Sequence, residues 1–128
     1  MTPCVVDASA VAAVLFREPD HALVTLAIPA DARLVAPALL PLEVANVART
    51  KVRRGELARA DAVAMLADLA RWRVRTVSVP WARAWKLAWA HDLTIYDAAY
   101  LHVAIARDAP LVTLDADLRK AAGKRARP

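Results

Sequence analysis

The sequence has one cysteine in 128 residues, Cys4, so no disulfide framework is available and no thiolate cluster can hold a metal. Histidine is nearly as scarce. His21, His91 and His102 are scattered, and each reads as a surface or packing residue rather than a ligand. No apolar run approaches the roughly 18 residues of a membrane span. The first residues do not show the basic-then-apolar order of a secretory leader, so the cytoplasm is the expected compartment and no membrane partner is expected. Internal repeats, low-complexity linkers and a second domain are also missing. A single domain of this length buries about two thirds of the surface its unfolded chain exposes. Hydrophobic residues make up 59% of the chain, much of the excess being alanine, and charged residues make up 24%. The net charge of +5 admits a polyanionic partner without requiring one.

Residues 3–6 read as a short buried strand that ends at Asp7. Helical spacing follows over 8–16, broken by Arg17-Glu18-Pro19-Asp20, and a second short helix is expected over 21–28. A strand at 34–36 leads to Pro37 and Pro41, and Pro41 suits the first turn of a helix running to about Arg54, with Gly55 as its stop. Further helices are expected over 59–72, 81–90 and from Thr94 onward, strands over 74–79 and 111–114, and a last helix over 115–122. Residues 124–128, Lys-Arg-Ala-Arg-Pro, read as a basic C-terminal tail beyond a domain spanning 1–123. Strands alternating with helices imply a parallel sheet with helices on both faces.

In such sheets the loops leaving the C-terminal ends of the strands share one edge, where ligands bind. Asp7 directly follows Val5-Val6, Asp115 directly follows Val112-Thr113-Leu114, and Glu43 sits in the first two turns of the helix entered from 34–36. Asp97 lies in the first turn of a helix that follows another helix, so its link to that edge is weaker. Each acid also has a bland explanation. Asp7 and Asp115 fit helix N-caps, and Thr94-x-x-Asp97 has capping-box spacing. Together they carry more weight, because four carboxylates at one edge repel unless a cation holds them. Oxygen donors without cysteine or clustered histidine indicate Mg²⁺, with Mn²⁺ as a substitute, rather than zinc.

Four segments now carry a resemblance. Val5-Val6-Asp7-Ala8-Ser9, Leu42-Glu43-Val44-Ala45-Asn46, Thr94-Ile95-Tyr96-Asp97-Ala98-Ala99-Tyr100 and Leu111-Val112-Thr113-Leu114-Asp115-Ala116-Asp117-Leu118 resemble, in order and spacing, the acidic motifs of PIN-domain ribonucleases. In length and order the chain is similar to the VapC toxins of toxin–antitoxin pairs. The resemblance implies an α/β/α sandwich of three layers around a short, mostly parallel sheet. It implies a metal-dependent endoribonuclease whose metal-binding and catalytic acids are Asp7, Glu43, Asp97 and Asp115, with Ser9 and Thr113 as hydroxyl helpers. Asp117 is either a further ligand or a solvated first-turn acid. An RNA substrate, a small antitoxin covering the acidic pocket and a toxin homodimer are implied as partners. A non-catalytic PIN-like binding module is the alternative, but such a module would have lost an acid, and none is missing.

Two features lie outside those motifs. Arg49, Arg53 and Arg54, with Lys51, cluster late in the Glu43 helix. They read either as a phosphate track for RNA or as ordinary partners of the helix C-terminus. Trp81, Trp85 and Trp89 recur at i, i+4 and i+8, a stripe expected in the core, with a protein interface next and base stacking last.

Overall fold

The computed structural model of the chain describes residues 2–128. Five strands form one sheet: β1 (Thr2–Val6), β2 (Ala32–Pro37), β3 (Arg75–Val77), β4 (Leu111–Val112) and β5 (Ala126–Arg127). Their spatial order is β3-β2-β1-β4-β5, and every neighbouring pair is parallel. Seven α-helices connect them: α1 (Ala8–Leu15), α2 (His21–Ala27), α3 (Leu40–Arg53), α4 (Arg59–Asp68), α5 (Trp81–His91), α6 (Ile95–Ala106) and α7 (Ala116–Ala122). Parallel crossovers are right-handed. Those running from β1 to β3 therefore place α1–α4 on one face, and the return from β3 to β5 places α5–α7 on the other. The contacts agree: α1, α2, α3 and α4 pack among themselves, while α6 lies against α5, α7 and strands β1, β2 and β4. This is the expected three-layer sandwich.

The sheet is built from residues that want burial on both faces. Val5, Val6, Val35, Leu111 and Val112 are fully buried and form one core with Val11, Leu40, Tyr100, Leu101 and Leu118. Each such side chain contributes roughly 1.5–3 kcal/mol of transfer free energy. Cys4 belongs to this core, and burial pushes its thiol up to about 11.

Three expectations need correction. The helix expected over 59–72 ends at Asp68 and tightens into a 3₁₀ turn over Leu69–Trp72, after which Arg73 takes a left-handed φ of 52°. The basic tail is no tail, because Ala126 and Arg127 pair with Leu111 and Val112 as the edge strand β5. The Thr113 amide donates to the Arg127 carbonyl at 2.9 Å, which satisfies an edge that β4 would otherwise leave open. A strand of two residues has no periodicity, and its charges read as solvated.

The tryptophan stripe is not core either: Trp81, Trp85 and Trp89 are 78%, 52% and 74% exposed. α5 buries Ala84 and Ala88 against Ala98 of α6, with Leu87 beside them. Positions 84 and 88 are one residue from 85 and 89, so roughly 100° around the helix. Alanine lets the two helices approach closely, and an indole would hold them apart.

Candidate active site

The chain leaves β1 toward β2 and β3 on one side and returns to β4 and β5 on the other. The gap between β1 and β4 is thus the topological switch point, where α/β sheets bind ligands beyond their strand ends. Asp7 follows β1 directly, and Thr113 to Asp115 follow β4. The Asp7 amide donates to the Val112 carbonyl at 3.2 Å, clasping the two strand ends together.

Asp7 is a buried N-cap of α1 and 4% exposed. Its Oδ1 accepts from the Ala10 amide at 2.9 Å and the Ser9 hydroxyl at 2.7 Å, and its Oδ2 accepts a short bond from the Thr113 hydroxyl. Ser9 Oγ in turn accepts from the Leu114 amide at 2.9 Å, and Thr113 Oγ1 accepts from the Asp115 amide at 3.0 Å. The two hydroxyls therefore lock the start of α1 onto the β4–α7 turn. Asp115 caps α7, accepting from the Leu118 amide at 2.8 Å. Capping and convergence are both real here, since a cap after a strand end necessarily sits at the strand edge.

Glu43 enters from the first turn of α3, and Tyr100 of α6 donates its hydroxyl to Glu43 Oε1 at 2.7 Å. Asp97 rides the first turn of α6, whose N-cap Thr94 accepts from the Asp97 amide at 3.1 Å. Because α6 lies across β1, β2 and β4, it carries Asp97 and Tyr100 to the same edge, although no strand leads into it.

The acids feel one another. Burial raises the pKa of Asp7; its hydrogen bonds from Thr113, Ala10 and Ser9 oppose the rise, and the charge of Asp115 adds to it. Burial also raises Glu43, opposed by Tyr100 and reinforced by Asp97 and Asp7. For Asp97 burial is again first, followed by the charges of Asp115 and Asp7, with Asp117 a smaller contributor from α7. Burial and the Glu43 contact together hold the Tyr100 hydroxyl far above the ordinary phenol range. Tyr100 has no charge and sits inside an apolar run. Its position one helical turn after Asp97, inside the third acidic segment, is the signal that points to its part in the site.

The donor set is all oxygen, which suits a hard divalent cation. Among the described residues, however, no three acidic, histidine or cysteine groups stand close enough to form a ready-made cage. An apolar groove of about 440 Å³ runs beside Glu43, lined by Leu39, Leu42, Val47 and Tyr96.

The predicted arginines divide. All of Arg49, Arg53 and Arg54 are exposed, but they lie about 9–16 Å along α3 from Glu43. Arg54 shares its azimuth to within roughly 20°, while Arg49 and Arg53 turn roughly 120° and 80° away. Those two line a groove between α3 and α4 with Arg59. Lys51 is engaged elsewhere, bonded to Glu18 at 2.9 Å and set over the Phe16 ring.

Known proteins resemble the chain over nearly its whole length. The PIN domain family profile matches residues 4–124. Ribonuclease VapC1 of Mycobacterium tuberculosis is 34% identical over 125 residues, covering 96% of this chain and 93% of that protein. Ribonuclease VapC3 of Pyrobaculum aerophilum is 35% identical over 118 residues, covering 89% and 90%. Among solved structures, the Pyrobaculum aerophilum protein PAE2754 superposes with a TM-score of 0.78 at 27% identity, over 98% of this chain and 87% of its own. Mycobacterium tuberculosis VapC20, a toxin that cleaves the sarcin–ricin loop, shares the fold with a TM-score of 0.72 at 21% identity, over 98% and 99% of the two chains. The chain therefore belongs to the PIN domain family and groups with its VapC members.

Proposed function

We propose that this protein is a divalent-cation-dependent endoribonuclease that acts as the toxin of a toxin–antitoxin pair. The observation that supports this reading is that burial and the charges of neighbouring acids raise the pKa values of Asp7, Glu43 and Asp97, which with Asp115 follow strand ends or begin helices at the switch-point end of the sheet. These four would hold the cation, Mg²⁺ or Mn²⁺, and Asp117 stands at the rim. When bound, the cation supplies an activated water and charge neutralisation at the phosphate. The remaining work falls to the chain. Ser9, Thr113 and the Ala10 amide fix the direction of Asp7, and Tyr100 fixes that of Glu43. Exposed arginines on α3 supply the field that gathers RNA.

The nuclease domain proposed here runs past residue 123 to Arg127, because β5 completes its sheet. Among the described residues no helix is long and apolar enough to cross a membrane, and the cytoplasm is the proposed site of action. The partners proposed are an antitoxin that covers the acidic centre and a second copy of the chain.

Two experiments test this. Purified protein freed of partners should cut a structured RNA with Mg²⁺ or Mn²⁺ and stop in EDTA; undiminished cutting in EDTA overturns the metal reading. Expression of the chain alone should arrest growth, and Asp97→Asn should not. Equal toxicity of the two would separate toxicity from this site.

A further inference from the structure

Trp89 stands at the C-terminal end of α5, largely exposed, with the Trp85 ring against it edge-on at 5.8 Å between centroids. Trp85 props the second indole and limits its rotation. At Asp92 the chain turns through a left-handed φ of 52°, which lifts it away from the helix axis. Beyond that turn a cleft of about 460 Å³ opens between the end of α5 and α7, lined by Trp89, His91, Asp92, Asp117 and Lys120. Its volume falls within the roughly 300–1,000 Å³ of small-ligand sites. The cleft adjoins the acidic centre, because Asp117 is two residues past Asp115 and its charge reaches Asp97.

The lining selects among occupants. Charged residues are depleted from the cores of protein interfaces, and this cleft carries two carboxylates, a lysine and a histidine around one indole. A bare phosphate would meet both carboxylates. A flat neutral ring with a hydrogen-bonding edge suits all of them. Its face would lie on the indole, its N–H groups would donate to Asp92 or Asp117, and the phosphate carried on its ribose would meet Lys120.

We propose that this cleft is a nucleobase subsite, in which one base flanking the cleaved bond stacks on Trp89 while Lys120 takes its phosphate. The assignment rests on the nuclease reading above and adds a place for the substrate strand. Stacking on an aromatic platform tolerates every base, since each has a π-face.

The test uses the full chain with Mg²⁺ and a short fluorogenic oligoribonucleotide that the wild type cuts. Trp89→Ala should raise KM roughly 5- to 150-fold, the span that base stacking gives, while Trp89→Phe keeps most of the affinity. Lys120→Ala should raise KM and flatten its salt dependence by about one phosphate contact. An abasic site walked along the oligonucleotide should find one position at which the wild type weakens and Trp89→Ala does not. A Trp89→Ala protein that cuts with wild-type KM overturns the subsite alone. A change in solution mass with KM per site unmoved would make this face a contact between copies and would also overturn it. Wild-type protein that neither cuts nor binds RNA overturns the nuclease reading, and the subsite falls with it.

Discussion

Replacing Asp7 probes the acidic centre without any knowledge of its substrate. The Asp7→Asn amide oxygen can stand where Oδ1 stands, still accepting from the Ala10 amide and the Ser9 hydroxyl. Its NH₂ group then faces Thr113 Oγ1, which accepts from the Asp115 amide and has a second lone pair free. The Thr113 proton can turn toward Ser9 Oγ, 3.5 Å away. Buried partners thus stay satisfied while the charge disappears. Loss of the helix-dipole interaction costs about 0.3–1 kcal/mol. Burying an ion costs several kcal/mol before its hydrogen bonds offset it. In EDTA at neutral pH, Asp7→Asn should therefore melt at or above the wild-type temperature.

Asp7→Ala is the contrast. It loses the cap, worth roughly 0.5–2 kcal/mol, and strands a buried donor at roughly 1–3 kcal/mol. Taken together at roughly 1.5–5 kcal/mol, this should lower Tm by about 6–19 °C in a domain of this size. The pH dependence has a definite sign. Burial places the folded pKa of Asp7 above its unfolded value, so the folded state binds the proton more tightly. The wild type loses stability as pH rises from about 4 through the raised value, and the Asn variant loses none from this group. The gap between the two should be widest near neutrality and close in acid. Saturating Mg²⁺ should raise the wild type more than the variant, by mass action. Thermal melting of the three proteins in EDTA and Mg²⁺ across pH decides it. An Asn variant melting as low as the Ala variant would refute the claim that the charge at Asp7 opposes folding.

Tyr100→Phe removes the hydroxyl that orients Glu43 at 2.7 Å; calorimetry should show roughly 10- to 100-fold weaker Mg²⁺ binding, the usual effect of losing such a support, with unchanged binding showing that Glu43 is not a ligand. Arg54→Ala should flatten the dependence of log Kd for RNA on log salt by about 0.7–0.9, one phosphate contact; fluorescence anisotropy across salt measures it, and an unchanged slope would make Arg54 only a partner of its helix end.

Much of the layout was legible because burial on both faces leaves a plain mark. Val5-Val6 and Leu111-Val112-Thr113-Leu114 are runs cut off by an acid, and a run that ends in Asp places that acid at the strand edge. Pro41 and Gly55 mark the ends of α3 by their backbone chemistry, and Gly55 takes the positive φ of 74° that suits it. What stayed hidden depended on tertiary pairing. β5 exists only because β4 presents an open edge. The outward face of α5 follows from alanines that fit against α6, whereas hydrophobicity alone would bury the tryptophans. The Tyr100–Glu43 bond joins residues 57 apart, a separation no local pattern records. Asp97 could be placed in a helix from sequence, yet only the packing of that helix across the sheet brings it to the other acids.

The charges on this chain are sorted in a way that bears on how it works. Among the described residues the ion pairs are Lys51 with Glu18 and Glu56, Arg71 with Asp68, and Arg125 with Asp108. None involves Asp7, Glu43, Asp97 or Asp115. The groups that do meet three of these acids are neutral: the hydroxyls of Ser9, Thr113 and Tyr100 and the amides of Ala10 and Leu118. Neutral donors satisfy a carboxylate's lone pairs without cancelling its charge. A lysine or arginine in their place would have lowered the neighbouring pKa values, and those of Asp7, Glu43 and Asp97 are raised instead. The chain nevertheless carries 18 lysines and arginines for a net charge of +5, kept on the outer surfaces. A polyanion is thus drawn to the protein and repelled from its centre by the same molecule. A divalent cation bound among the acids, as proposed above, would remove that repulsion, so cation and RNA phosphate would each strengthen the other's binding.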